Sequence, residues 1–280
     1  MAEKAYGRNE VSAIESNLKY FHKPVWLVVG MKYVSNLSGG KDSLFMTDEI
    51  MERKLPLDYV VMFDTEMEFA ATYKAINMIK PKIESYGAEL VVLKNNTHWL
   101  EDMLLRIVNA GTPEEHFGYE WCGYGKCRWR TAQKVDMINK FLSEIGDYKQ
   151  YVGIAYDEPE RVKNENQKLY PLVDWKVTER ECLEECWERG YHWKEHTPVT
   201  ASGYIDLYKI LKRVSCWCCA NKNLEELYNI YYYLPQYWKK LEALQSRIDR
   251  PFRRDGKTIF DLAERFYWKS QQMKFIEFYD

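Results

Sequence analysis

The sequence has no long hydrophobic run and no excess of charge of either sign. No stretch of 18 apolar residues occurs in its 280 residues, so it contains no conventional transmembrane helix. The apolar stretch 24–29 is short and follows residues of mixed charge, unlike a signal peptide, and we expect a cytoplasmic protein without membrane contact. Lys and Arg number 40 against 42 Asp and Glu. This balance excludes a general attraction to nucleic acid and leaves only a local basic patch.

A disulfide framework is missing as well. Seven cysteines are an odd number, and the chain is longer than the small secreted domains that depend on disulfides. We therefore expect the cysteines to serve metal binding or redox chemistry inside a cell. The hydrophobic fraction of 46% is enough for a sizeable core. The 22 Tyr and 10 Trp are expected to fill that core rather than to stack on bases.

Internal repeats and low-complexity linkers are absent, so the organisation has to be inferred from hydrophobic patterns. Residues 1–30 read as an N-terminal extension, because the segment from Met31 resembles a chain start that leads straight into a strand. Residues 31–175 alternate strands and helices, which predicts an α/β fold with a parallel twisted sheet and helices on both faces. The strands are predicted at Tyr33–Leu37, Tyr59–Phe63, Glu89–Leu93 and Tyr151–Ile154, and the helices at Asp42–Arg53, Tyr73–Tyr86, His98–Val108 and Thr131–Ile145.

Residues 176–280 predict a helical C-terminal part that carries a cysteine cluster. Its clearest helix covers Thr178–Gly190 and begins with a capping box, in which Thr178 is the N-cap and Glu181 stands three residues later. The other helices predicted here are Leu224–Leu244, broken at Pro235, and Thr258–Phe275.

The loop Ser38-Gly39-Gly40-Lys41-Asp42-Ser43, between the first strand and the first helix, has the composition of a phosphate-binding turn. Two glycines let the backbone approach an anion and take up positive φ angles. The helix that follows offers unbonded amides and the positive end of its dipole. Serine hydroxyls and the lysine charge add further donors. A Walker loop is excluded because Asp42 follows the lysine, and an ordinary strand-to-helix turn is the alternative.

This loop resembles the PP-loop of the ATP pyrophosphatase superfamily, and three later segments resemble the PAPS-reductase-like family within it. Asp64-Thr65-Glu66-Met67-Glu68-Phe69 matches an Asp-Thr-Gly-x-x-Phe segment except at Glu66. Gly153-Ile154-Ala155-Tyr156-Asp157-Glu158, with Arg161 beyond, matches Gly-x-Arg-x-Asp-Glu except at Ala155. Tyr170-Pro171-Leu172-Val173-Asp174-Trp175 matches a Tyr-Pro-Leu-x-x-Trp turn. The resemblance covers about residues 32–235.

The resemblance implies the adenine nucleotide alpha-hydrolase-like fold and cleavage of ATP, or a related adenine nucleotide, between its α- and β-phosphates with Mg²⁺. It assigns catalysis to Lys41, Asp42 and Asp64. Nucleotide binding is assigned to Ser38, Gly39, Gly40, Lys41, Asp42, Ser43, Asp64, Thr65, Gly153 and Arg161. Asp64 has two readings, one as an orienting group for ribose, Mg²⁺ or a substrate hydroxyl and one as a helix cap. Arg161 is either a phosphate clamp or half of a surface ion pair.

Two separated cysteine clusters predict a four-thiolate metal site. The preferred ligands are Cys122 and Cys127 with the C-x-x-C pair Cys216 and Cys219, and Cys218 could replace either neighbour. Buried free thiols are the alternative. The resemblance favours a [4Fe–4S] cluster, while the spacing leaves zinc open. Nearby Arg128, Arg130 and Lys134 would offset the thiolate charge. Cys182 and Cys186, four apart on one helix, are expected to pack in the core.

These features favour a PP-loop enzyme that uses ATP to activate a substrate in a sulfur-transfer reaction. Its thiolate site would be structural or would carry sulfur. The acceptor is unidentified and a nucleic acid is one candidate, and a homo-oligomer is left open. One alternative is a PAPS or APS reductase, although residues 269–280 contain no cysteine to attack the sulfur. The other is a non-catalytic nucleotide-sensing or DNA-associated accessory protein, for which the basic segment 247–257 offers a modest phosphate contact.

Overall fold

The computed structural model describes residues 30–122, 127 and 130–279, with side chains as far as residue 272. The expected N-terminal extension lies outside these residues except for Gly30, and Arg128 lies outside them as well.

The described chain forms two compact units, each drawn from three separate stretches. The first unit consists of residues 30–62, 77–91 and 140–191, and the second of residues 63–76, 92–139 and 192–279. Residues on both sides of position 175 therefore belong to each unit.

Five strands form one parallel sheet in the order β3-β2-β1-β6-β7. In the register of this sheet, Val34 stands opposite Tyr59 on one side and opposite Gln150 on the other. The expected α/β class with a parallel sheet is confirmed. Two antiparallel pairs, β4 with β5 and β8 with β9, accompany it. The strands are β1 (Lys32–Asn36), β2 (Tyr59–Asp64), β3 (Glu89–Lys94), β4 (Ile107–Val108), β5 (His116–Phe117), β6 (Tyr148–Tyr151), β7 (Lys168–Leu169), β8 (Lys194–His196) and β9 (Tyr204–Asp206).

Helices occupy most of the remaining regular structure. They are α1 (Lys41–Glu52), α2 (Ala70–Tyr86), α3 (Trp99–Leu104), α4 (Arg130–Glu144), α5 (Pro171–Asp174), α6 (Glu179–Glu188), α7 (Leu224–Tyr233), α8 (Pro235–Gln245) and α9 (Ile259–Tyr279). The predicted break at Pro235 is confirmed, since this proline begins α8 directly after α7 ends. In the described part of the chain, no helix combines the length and the apolar character that crossing a bilayer requires.

The core of the first unit explains why its strands read as continuous apolar runs. The middle residues of β1 and β2 are buried in succession, as expected for strands covered on both faces. Ser35 is a polar member of this core, and its hydroxyl is hydrogen-bonded to that of Thr47 on α1 at 2.8 Å. A buried hydroxyl needs such a partner, since leaving it unpaired costs about 1–3 kcal/mol. This bond helps to fix α1 against the first strand.

The core of the second unit is rich in aromatic rings, as the composition predicts. Phe266 of α9 packs against Tyr228 of α7 and Trp238 of α8, with ring centroids 5.5 and 5.7 Å apart. Asn223 caps α7 and exchanges hydrogen bonds with Glu226 in a capping box. The helical character expected of the C-terminal residues is confirmed.

Two predicted elements differ from the structure. The helix expected over His98–Val108 ends at Leu104, because the β-branched pair Ile107–Val108 forms a short antiparallel ladder with His116–Phe117. The strand expected at Tyr151–Ile154 lies instead at Tyr148–Tyr151, where it pairs with β1. In both cases a pairing partner distant in sequence decides the outcome.

Candidate functional site

The glycine loop of the first unit links the end of β1 to the start of α1. Gly39 has a φ of +78°, in the left-handed region that favours glycine. Gly40 is extended, with φ −82° and ψ 163°, and is the N-cap of α1. The first helical bond runs from the amide of Leu44 to the carbonyl of Gly40, so the amides of Asp42 and Ser43 precede the helical ladder. The loop therefore has the backbone expected of an anion-binding turn.

The two serines close the loop on itself. The Ser43 hydroxyl accepts a bond from the Ser38 amide at 3.0 Å and lies 2.9 Å from the Ser38 hydroxyl. It also donates to the carbonyl of Gly40 at 3.1 Å. Ser43 is buried and Ser38 is exposed. The inner serine thus shapes the turn, while the outer one presents its hydroxyl to solvent.

Lys41 carries the positive charge of the loop and is itself buried. Its ammonium lies 2.8 Å from Asp42 Oδ1 and 3.5 Å from Glu179 Oε1, at the start of α6. Burial raises the pKa of Asp42 above its ordinary value, against the opposing effect of the Lys41 charge. Desolvation therefore outweighs the ion pair at Asp42, and its ionised form is less favourable here than in water.

Gly153 lies directly behind the loop. A Cβ at this position would lie 3.0 Å from the amide nitrogen and from the Cα of Ser43. Only glycine allows this approach without a shift of backbone. Arg161, in the short 3₁₀ turn Pro159–Arg161, pairs with Glu158, and its charge also lowers the pKa of Asp42. The ion pair is one of the two alternatives expected for Arg161, and its assignment as a phosphate clamp stays a prediction.

The segment from Asp64 belongs to the second unit. The Asp64 carboxylate accepts bonds from the amide of Glu66 at 2.8 Å and from the Tyr73 hydroxyl at 2.6 Å. It therefore organises the turn that leads into α2, and neither of these two bonds comes from a backbone amide of that helix. The Thr65 hydroxyl donates to Glu68 at 2.9 Å. The assignment of Asp64 and Thr65 to nucleotide chemistry stays a prediction.

Glu66 and Ala155, the two departures from the family pattern, lie in different environments. Glu66 stands where the pattern has glycine and keeps a left-handed φ of 61°. Its carboxylate accepts a bond from the Trp99 amide at 3.0 Å and pairs with Lys94 at 2.8 Å and Arg130 at 3.3 Å. Ala155, where the pattern has arginine, is fully buried. Nothing in the sequence alone indicated the role of Glu66.

Three of the predicted metal ligands lie together in the second unit. The Cys122 thiol is hydrogen-bonded to Cys127 and to Cys219. The bond from Cys122 lowers the pKa of Cys219, as does the nearby charge of Lys222, against the opposing effect of burial. This trio of sulfur atoms has the donor chemistry of a site for a thiophilic metal.

The remaining thiols of this unit have other partners. The Cys216 sulfur lies 3.6 Å from Thr65 Oγ1 and 3.6 Å from Glu68 Oε1, and Cys218 contacts the sulfur of Met67 at 3.3 Å. Within the described ranges, no group of three or more His, Cys, Asp or Glu side chains has positions suited to one metal ion. The set of Cys122, Cys127, Cys216 and Cys219 stays a prediction.

The basic segment 247–257 is tied to both cysteine-bearing stretches. Arg250 pairs with Glu120 at 3.1 Å and donates to the carbonyl of Trp121 at 3.4 Å, next to Cys122. Arg253 donates to the carbonyl of Lys222 at 3.1 Å, close to Cys219. These two arginines act as internal braces, a role that the sequence did not indicate.

The packing prediction for the helical cysteine pair is confirmed. Cys182 and Cys186 of α6 are fully buried, and the Cys186 thiol donates to the carbonyl of Lys41 at 3.5 Å. Arg130, expected to offset thiolate charge, pairs instead with the carboxylates of Glu66 and Asp102.

Comparisons with known proteins add little to this geometry. No protein-family model matches the sequence. The chain is 25% identical over 246 residues to an uncharacterised protein of Methanocaldococcus jannaschii, across 85% of this chain and 44% of that protein, so it spans less than half of that curated relative. The U34-tRNA thiolase NcsA from Methanococcus maripaludis, solved with its [4Fe-4S] cluster, is similar over 92% of this chain and 80% of its own, with 14% identity and a TM-score of 0.44. Similarity at this level says nothing about activity.

Proposed function

We propose that this protein is a PP-loop enzyme that binds ATP or a related adenine nucleotide and cleaves it between the α- and β-phosphates to activate an acceptor in sulfur transfer. The observation that carries the proposal is the backbone of the Ser38–Ser43 loop. Its left-handed Gly39, its extended Gly40 and the first amides of α1 are the backbone donors that would bind phosphate oxygens.

The charges around the loop fit the release of pyrophosphate. Lys41 supplies a cation with little solvent around it, and such a charge stabilises a leaving anion more than an exposed one would. Its ammonium is held by Asp42 and Glu179, so nucleotide binding requires it to exchange a carboxylate for a phosphate oxygen. Arg161 is the second cation near Asp42 and serves as a clamp for the same chain of phosphates.

Mg²⁺ fits the loop by the chemistry of its donors. The carboxylate of Asp42 is a hard oxygen ligand, and burial makes its ionised form costly even beside Lys41, a cost that a bound divalent cation would offset. Asp42 would hold the ion, which would neutralise charge on the phosphates. Mg²⁺ usually keeps several waters and a few carboxylate or phosphate ligands, so one protein carboxylate suffices.

The thiol trio would hold the metal centre of this enzyme. Cys122, Cys127 and Cys219 supply three sulfur ligands, and Cys216 is the predicted fourth, with Cys218 as its substitute. A [4Fe–4S] cluster is the preferred group and zinc the alternative. Such a group would stabilise the surrounding loops and supply a site for sulfur.

The proposal is tested by the conversion of ATP to AMP and pyrophosphate. Lys41→Ala should lower the rate of pyrophosphate release by about 10²-fold, as expected when one stabilising donor to a developing anion is lost. Lys80→Ala is the matched control, because Lys80 belongs to the same unit and makes an exposed pair with Glu84 at 3.8 Å. Nucleotide binding without turnover by the wild-type protein, or equal rates for the two variants, would overturn the assignment.

A further inference from the structure

The second unit contains a large open cavity beside α3. Its volume is about 870 Å³, within the range of sites that hold small organic molecules. Leu100, Leu104 and Leu105 form an apolar part of its lining. A flat, partly apolar body of the size of a nucleoside fits such a space.

Charged groups of both signs also line this cavity. Arg106 is held in place by Asp102 at 3.1 Å and by the ring of Tyr119, 5.5 Å from its guanidinium carbon. Arg247 lines the cavity too, and its guanidinium makes no ion pair or hydrogen bond with the residues that the structure describes. The guanidinium groups of Arg106, which is held in place, and of Arg247 can together bind an oxyanion such as a phosphate.

Glu101 supplies a complementary acceptor. Its carboxylate lines the cavity and makes no hydrogen bond or ion pair within the described part of the chain. Carboxylates accept bonds from the exocyclic amino groups of bases. An apolar wall, a guanidinium and an acceptor for amino groups match the three parts of a nucleotide better than they match a lipid or a simple carboxylate.

Apolar side chains continue from the cavity onto the β4–β5 hairpin. Ile107 follows Arg106 directly and stands opposite Phe117 in the register of the hairpin. Both side chains are unusually exposed for apolar residues, Ile107 by 53% and Phe117 by 71%. Exposed rings near guanidinium groups are the arrangement on which unpaired bases stack, and here Phe117 lies close to the cavity that Arg106 and Arg247 line.

We propose that the cavity, together with the exposed pair Ile107 and Phe117, binds a nucleotide unit, one base with its phosphate. The unit comes from single-stranded nucleic acid or from a free mononucleotide. If the proposed activation of an acceptor is correct, this site holds the acceptor. The binding itself does not depend on that activity.

The test uses a fluorescein-labelled single-stranded RNA octamer, without ATP, and fluorescence anisotropy of the full chain. Arg247→Ala should weaken binding about tenfold and reduce its dependence on salt concentration. Phe117→Ala should also weaken it about tenfold, through the loss of a stacking ring. Arg254→Ala, in the same basic segment, and Phe260→Ala, another exposed ring on α9, are the matched controls and should change binding less than twofold.

Competition with unlabelled AMP and CMP identifies the source of the nucleotide. If a mononucleotide displaces the octamer at concentrations similar to those of the unlabelled octamer, the natural ligand is a free nucleotide. If only longer oligonucleotides displace it, the natural ligand is single-stranded nucleic acid. Lys41→Ala should bind the octamer like the wild type, which separates this site from the ATP loop. No binding of either probe, or equal losses in Arg247→Ala and Arg254→Ala, would overturn the proposal.

Discussion

Gly153 lies in direct contact with Ser43, the residue that shapes the glycine loop from inside. A methyl group at position 153 would lie 3.0 Å from the Ser43 amide nitrogen. The glycine loop and the chain after β6 are therefore packed so closely that one added carbon atom at position 153 would not fit. This contact gives a physical meaning to a glycine that the sequence identified only by resemblance.

Replacing that glycine should impair nucleotide binding. Gly153→Ala forces the start of α1 to move, at a cost of about 1–3 kcal/mol for overpacking, and should weaken binding of a non-hydrolysable ATP analogue. Gly146→Ala is the control, because Gly146 has a φ of +86° and open space around its Cβ position. It should lower stability by about 1 kcal/mol and leave nucleotide affinity unchanged. Calorimetric affinities and melting temperatures measure both effects, and equal affinity losses would contradict the role of Gly153.

The pH dependence of stability should reveal the cost of ionising Asp42. Burial raises its pKa in the folded state, so the folded protein prefers the protonated acid. The resulting stability is present below the ordinary pKa of aspartate and is lost as the pH rises through the raised value. Asp42→Asn should therefore melt at a higher temperature than the wild type at pH 7, with a difference that shrinks towards pH 4. A difference that is constant between pH 4 and pH 8 would show that Asp42 is not the cause.

The same variant should lose activity while it gains stability. Asp42→Asn removes the carboxylate that we assign to Mg²⁺, so pyrophosphate release should fall at every magnesium concentration tested. A wild-type rate in Asp42→Asn would remove Asp42 from the catalytic assignment, whatever the melting temperatures show.

Glu66 should contribute to stability through its partners despite its left-handed backbone. Glu66→Gly relieves the positive φ, a gain of about 1 kcal/mol, but removes one of the two carboxylates that pair with buried Arg130, leaving only Asp102 at 3.7 Å among its described ion-pair partners. Complete loss of a buried pair costs about 3–5 kcal/mol, and losing one of two partners should cost enough of this to outweigh the gain, so the variant should be less stable. Lys94→Ala removes the exposed partner of Glu66 and should change stability by less than about 1 kcal/mol. Urea denaturation compares the variants, and a more stable Glu66→Gly would show that backbone strain dominates.

Arg250 should control how well the cysteine trio retains metal. Arg250→Ala removes the contacts to Glu120 and Trp121 and should loosen the chain next to Cys122. We expect at least a twofold lower content of iron or zinc after anaerobic purification. Arg254→Ala serves as the comparison, since Arg254 is exposed in the same segment. Unchanged metal content in Arg250→Ala, or no metal in the wild type, would contradict this role.

The features that the sequence predicted are those set by short stretches of chain. The left-handed Gly39, the capping box of Thr178 and Glu181 and the break at Pro235 each depend on a few neighbouring residues. Local patterns carry this information because backbone freedom, capping and the missing amide of proline act within one turn.

The features that the sequence missed depend on partners far along the chain. The contacts of Glu66 with Arg130 and of Arg250 with Trp121 span many residues and leave no periodic signal. The same applies to the thiols, since Cys216 and Cys219 look equivalent in the sequence yet bond different groups. The two-residue strand β7 is likewise too short to show a pattern.

Because each of the two units is built from three separate stretches of chain, truncation cannot separate them. The chain passes from one unit to the other after residues 62, 76, 91, 139 and 191. No single cut of the backbone therefore yields an intact half, and a fragment that ends near residue 175 would lack α6, with its Glu179 partner of Lys41. Either unit therefore has to be studied by substitutions within the full chain rather than by truncation.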